Sequence, residues 1–113
     1  MPMVYIYDFS YGVTYPAPTD DYIIDTAEKF GLHYPYSDRA GASPSSLAYL
    51  YSGRVDNSDQ SYLDEETLAA GFFLTDTAYP LTNLVISTDP DSVWQLYEAF
   101  DKDRFHWARP VIM

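Results

Sequence analysis

The spacing of apolar and polar positions divides the chain into short elements. Val4 to Phe9 is β-branched and aromatic, with Val4 and Ile6 on one face and Tyr5 and Tyr7 on the other. That predicts a strand covered on both sides. Ser10-Tyr11-Gly12 is turn chemistry. Tyr15-Pro16-Ala17-Pro18 is expected to break any regular element, because proline lacks an N–H and restrains its neighbour. A helix over 20–30 follows from Thr19 as N-cap, Asp20 and Asp21 in the first turn and an apolar stripe of Ile23, Ile24, Ala27 and Phe30. Gly31 is placed to close it.

Residues 32–42 read as a loop. Ser43-Pro44, with Leu47, Leu50 and Tyr51 at helical spacing and Gly53 beyond, predicts a helix over 44–52. Arg54 to Ser61 is polar and reads as surface loop. A third helix is expected from Ser61 or Asp64 to about Ala70. Gly71 to Leu74 suits either a helix extension or a strand, and Thr75 to Pro80 reads as a connection. Leu81 to Ser87 predicts a strand. Thr88-Asp89-Pro90, with Val93, Leu96, Tyr97 and Phe100 on one stripe, predicts a helix over 90–101. Phe105 to Met113 reads as a last strand, at an edge because of Pro110. The fold class expected is α+β, a small sheet of about three to four strands packed against three to four short helices. The 113 residues are expected to form a single compact domain.

Composition adds three constraints. The chain has no cysteine, which removes disulfides, thiolate catalysis, iron–sulfur ligation and cysteine-containing zinc sites together. The N-terminus shows no signal-peptide pattern and no apolar run reaches membrane-span length, so a cytoplasmic protein is expected. The formal net charge is -11, from 17 acidic and 6 basic residues. That charge opposes direct binding to nucleic acid or to an anionic membrane and favours a basic partner.

No motif for catalysis, metal or nucleotide stands out, and no cofactor is expected. Asp56-Asn57-Ser58-Asp59 opens like a calcium loop, but the frame places Ser61 and Thr67 where glycine and glutamate belong. Asp89-Pro90-Asp91 and Asp101-Lys102-Asp103 read as helix ends rather than metal sites. His33 and His106 read as boundary residues. Tyr34-Pro35-Tyr36 and His106-Trp107 offer aromatic platforms for a sugar.

The acids remain. Val55 to Asp101 holds ten of them and no Lys or Arg. Asp56, Asp59, Asp64, Glu65 and Glu66 form the main cluster, with Tyr62 as its aromatic contact. Asp20, Asp21 and Asp25 form a second. The function expected on this ground is a non-enzymatic inhibitor that blocks the basic site of a nucleic-acid-handling protein. Anti-CRISPR and anti-restriction proteins of phage, or nuclease immunity proteins, act in that manner. An acidic adaptor for another basic protein is the alternative, followed by a small Asp/Tyr-based enzyme or a ligand-binding domain.

Overall fold

A computed structural model describes residues 3–36 and 39–105. Seven strands, three α-helices and one 3-10 turn follow in the order β1 (Met3–Asp8), β2 (Val13–Pro18), α1 (Ile23–Lys29), the 3-10 turn Pro44–Ser46, β3 (Leu47–Ser52), β4 (Val55–Asp56), α2 (Glu65–Ala69), β5 (Phe72–Leu74), β6 (Tyr79–Pro80), β7 (Leu84–Ser87) and α3 (Pro90–Phe105). The main sheet has five strands in the order β2-β1-β7-β3-β5, and β4 and β6 form a small separate pair. β1 and β7 run parallel, and the other pairs are antiparallel.

The fold is α+β as expected, but its sheet is larger than three to four strands. Two stretches read otherwise account for the difference. Val13–Pro18 is a strand paired along its full length with β1, including Pro16 opposite Tyr5 and Pro18 opposite Met3. Both prolines are tolerated because β2 is an edge strand. Residues two apart on a strand direct their nitrogens to the same side, and here that side is the open edge. The second stretch is 44–52, which is a single 3-10 turn followed by β3 rather than a helix. The Leu47, Leu50, Tyr51 spacing imitates a helical stripe. β3 lies between β7 and β5 with apolar layers on both faces, so its run is continuously apolar rather than alternating.

The sheet separates two cores. Ile6, Tyr15, Ala17, Ala48, Phe73, Leu84 and Ile86 pack with Ile23, Ile24 and Ala27 of α1. Leu47, Phe72, Leu74 and Leu63 pack with Val93 of α3, and Tyr49, Trp94, Tyr97 and Phe100 close over them. Phe72 and Leu74 enter one core and Phe73 the other, as strand alternation requires.

Helix α1 is shorter than 20–30. Tyr22 is its N-cap and makes no side-chain cap bond, so neither Thr19 nor the acids Asp20 and Asp21 open it. Its first amides instead donate to the 75–78 segment: Ile23 N–H to Ala78 O and Ile24 N–H to Thr75 O, both at 3.0 Å. A tertiary contact replaces the local cap. Asp64 caps α2, accepting from Thr67 N–H at 2.9 Å, and Gly71–Leu74 resolves into β5. The strand predicted over 81–87 begins at Leu84, and the helix predicted over 90–101 runs on to Phe105. Asp89 accepts from Ser92 N–H at 3.1 Å near the start of α3. Of the last predicted strand, Phe105 ends α3 and the rest lies outside the described residues.

Candidate functional site

The β3–β5 ladder brings two distant parts of the chain together. Leu47 pairs with Leu74, so the next rung sets Ser46 beside Thr75. The Ser46 carbonyl accepts from Thr75 N–H at 3.1 Å. The loop ahead of β3 is thereby laid against the residues after β5. That second segment, read from sequence as a connection, is buried throughout from Phe72 to Ala78. Asp76 lies within it at 2% exposure. Its carboxylate accepts from Gly41 N–H at 3.4 Å and from the Thr77 hydroxyl at 3.2 Å. Ser43 accepts from Ser45 N–H at 3.2 Å and caps the 3-10 turn. The Ser46 hydroxyl is buried with no hydrogen-bond partner among the described residues.

A second buried polar group lies at the C-terminal ends of β1 and β7. Asp8 is fully buried. It accepts from Ser10 N–H at 3.0 Å, the Ser10 hydroxyl, the Thr88 hydroxyl at 2.5 Å and the Tyr34 hydroxyl at 2.7 Å. Tyr34 has one proton and gives it to Asp8, so Tyr15 donates to Tyr34 across 3.0 Å. Burial pushes both tyrosine hydroxyls above their usual range. Sequence reading missed Asp8, Ser46 and Asp76, because nothing local marks a polar residue as buried.

The acids singled out from sequence are scattered over several tasks. Asp56 accepts from Ser58 N–H at 2.9 Å, and bonding to the Ser58 side chain and amide holds its carboxyl below the usual range. Asp59 accepts from the Tyr22 hydroxyl at 2.7 Å, which ties the 56–59 loop to the start of α1. The Tyr22 hydroxyl is pushed up, first by its bond with Tyr79 and then by that with Asp59. Asp20 and Asp56 border one shallow depression with Thr19, Tyr79 and Leu81, so the two predicted clusters meet there. Asp21 pairs with Lys29 at 3.4 Å, and Asp25 pairs with Arg39 at 3.2 Å, as does Glu28. Asp64 is a helix cap, while Glu65, Glu66 and Tyr62 are exposed. Among the described residues no group of three or more His, Asp or Glu side chains is placed to hold a metal ion. No helix among them is long and apolar enough to cross a membrane.

Fold and loop together define the class: a mixed sheet with α1 and α3 on its two faces and a loop clasped to one end. The crystal structure of pectocin M2 superposes on 92% of this chain with a TM-score of 0.77 and 34% identity, using 40% of the pectocin chain. Phthalate dioxygenase reductase shares the fold at a TM-score of 0.65 and 16% identity. No family model matches. Among curated relatives, ferredoxin-6 of Zea mays chloroplasts is 39% identical over 74 residues, which are 66% of this chain and 48% of that protein. Ferredoxin-2 of Leptolyngbya boryana is 34% identical over 80 residues, 71% of this chain and 81% of that protein. The chain thus spans about half of the maize relative and most of the cyanobacterial one. It belongs to the plant-type ferredoxin family.

That membership corrects the functional expectation. Plant-type ferredoxins are electron carriers, not enzymes, and not inhibitors or nucleic-acid mimics of the anti-CRISPR kind. The expected partner, a nucleic-acid-binding protein, falls with it. Charge and size do not identify a partner, and Asp21, Asp25, Asp56 and Asp64 have structural tasks that explain them without any partner.

The family also implies a [2Fe–2S] cluster, held by thiolates at a Cys-x4-Cys-x2-Cys spacing with a distant fourth. Asp38, Ser43 and Ser46 have that spacing, and Asp76 follows. The loop geometry above sets Ser43, Ser46 and Asp76 at one place; Asp38 lies outside the described residues. These donors do not fit the group. Carboxylate oxygens suit hard cations, serine hydroxyls keep their protons near neutrality, and cluster iron takes soft thiolate. Ser43 and Asp76 are besides committed to hydrogen bonds within the loop.

Proposed function

We propose that this domain is a ferredoxin-shaped docking module that carries no electrons through a cluster of the family's kind. It presents the family's fold and an acidic surface to a protein that recognises ferredoxins, such as a ferredoxin reductase. One observation carries this reading: the fold and more than a third of the residues matched in the maize relative persist, while oxygen donors stand at all four positions with the thiolate spacing. A sequence under no demand to be recognised as a ferredoxin has no physical reason to keep that surface without the cluster. The net charge of -11 supports a basic docking surface on the partner. Glu65, Glu66, Asp20 and Asp59 are the exposed acids with which the docking would be made, and Tyr62, 45% exposed, supplies an aromatic contact. The fraction of pectocin M2 that superposes, 40%, is consistent with a module that serves within a longer chain.

Competition tests it. A ferredoxin reductase is immobilised and a cluster-bearing plant-type ferredoxin is bound to it at low salt. The domain is expected to displace that ferredoxin, and displacement should weaken as salt is raised. Reversing Glu65 and Glu66 to Lys should weaken it further. A folded domain that fails to displace ferredoxin at large molar excess and low salt refutes the reading.

A further inference from the structure

We infer that Asp76 replaces the iron–sulfur cluster as the clasp of the 39–46 loop, leaving the backbone of a cluster-binding loop intact around ligands that no longer bind metal. A cluster cross-links its loop through four thiolates, so metal binding supplies part of the folding free energy of such a site. With no thiol in the chain, another contact must hold residues 39–46 against the end of β5.

The geometry shows what does. Gly41 is buried and bonded on both sides. Its N–H donates to Asp76, and its carbonyl accepts from Ser61 N–H at 2.8 Å and from Tyr62 N–H at 3.1 Å. The fit is close enough to exclude a side chain. Gly41 has φ +71°, and a Cβ there would stand 2.6 Å from the Thr77 hydroxyl and 2.8 Å from Gln60 Cα. Asp76 is itself held by its neighbours, since α1 donates to Thr75 and Ala78 on either side of it. The buried carboxylate joins the loop to the segment after β5, and the backbone of that segment is in turn tied to the start of α1.

Ser46 is the independent trace of the older arrangement. Its carbonyl is used by Thr75, but its buried hydroxyl has no partner among the described residues. Buried polar atoms are nearly always paired. An orphan hydroxyl at a position with ligand spacing is accounted for if the position was shaped around a sulfur bound to iron. This inference does not depend on what the domain docks to.

Two experiments test it. The first restores thiols with the variant D38C/S43C/S46C/D76C and supplies ferrous iron and sulfide under reducing conditions. The expected result is the visible absorption of a [2Fe–2S] centre and about two irons per chain, with the unaltered protein colourless under the same treatment. A four-cysteine variant that keeps its far-ultraviolet circular dichroism but takes up no cluster overturns the inference. So does an unaltered protein that assembles one. The second remains decisive if that variant does not fold. In Asp76→Ala, exchange of the Gly41 amide should accelerate by about tenfold, while the amides of Tyr7 and Ile86 keep their protection. Ser46→Ala, which deletes the orphan hydroxyl, should leave Gly41 exchange unchanged. Equal Gly41 exchange in the parent and in Asp76→Ala removes Asp76 as the clasp.

Discussion

Asp8→Ala is expected to destabilise the domain by about 2–5 kcal/mol. Asp8 is fully buried, and four donors converge on it. Two of the four belong to Ser10, which is exposed and can turn to water when the carboxylate is gone. The other two are the hydroxyls of Tyr34 and Thr88, each 3% exposed. Stranding a buried donor costs about 1–3 kcal/mol. Reversing the Tyr34–Tyr15 bond only passes the stranded proton to Tyr15, itself 1% exposed, and for Thr88 only the Ser10 hydroxyl, at 3.3 Å, is left to accept. The space left by the carboxyl adds a cavity cost. Urea unfolding followed by circular dichroism, with the slope checked for constancy, measures the change. Tyr34→Phe removes one donor to Asp8 and also the acceptor of the buried Tyr15 hydroxyl, and should cost about 1–3 kcal/mol. The double variant should cost less than the two single losses added together, because both remove the same bond. A loss below about 1 kcal/mol for Asp8→Ala at unchanged slope, or strict additivity with Tyr34→Phe, refutes the reading of this network as a cooperative buried unit.

Two further outcomes follow from the site description. Asp64→Ala removes the cap of a five-residue helix and should lower stability by about 1 kcal/mol, read from the urea midpoint. The Asp56 carboxyl should titrate below its ordinary 3.8 in a carbon-detected NMR titration, and Ser58→Ala should return it toward that value. A carboxylate whose folded pKa is depressed stabilises the fold above its unfolded pKa. That contribution is lost as pH falls through the folded value, so any stabilisation from Asp56 is fully present above its ordinary 3.8 and disappears on the acidic side of it.

Position along the chain and local chemistry were enough to place β1, the turn at Gly12, the Asp89 cap and the amphipathic α3, and to narrow the start of α2 to Ser61 or Asp64, because each depends on neighbours within a few residues. The absence of cysteine was equally plain, and with it the loss of thiolate ligation. The two proline-bearing segments that misled, 15–18 and 44–52, did so for one reason. Whether proline is tolerated in a strand depends on that strand being at an edge, and whether Leu47, Leu50 and Tyr51 form a stripe or a run depends on what covers the second face. Sheet order decides both, and sheet order is not local.

The site was hidden for the same reason. Ser46 and Asp76 are thirty residues apart, and only the Leu47–Leu74 register sets their segments side by side. Asp8 and Tyr34 meet because β1 and the segment after α1 share one core. Charge was visible in the sequence, but its division into caps, turns, ion pairs and exposed carboxylates was not. The amino-acid sequence determined that the domain is acidic, thiol-free and α+β. Tertiary structure alone decided which carboxylates are taken up in structural work and which are left at the surface, since burial is a property of packing and not of any residue by itself.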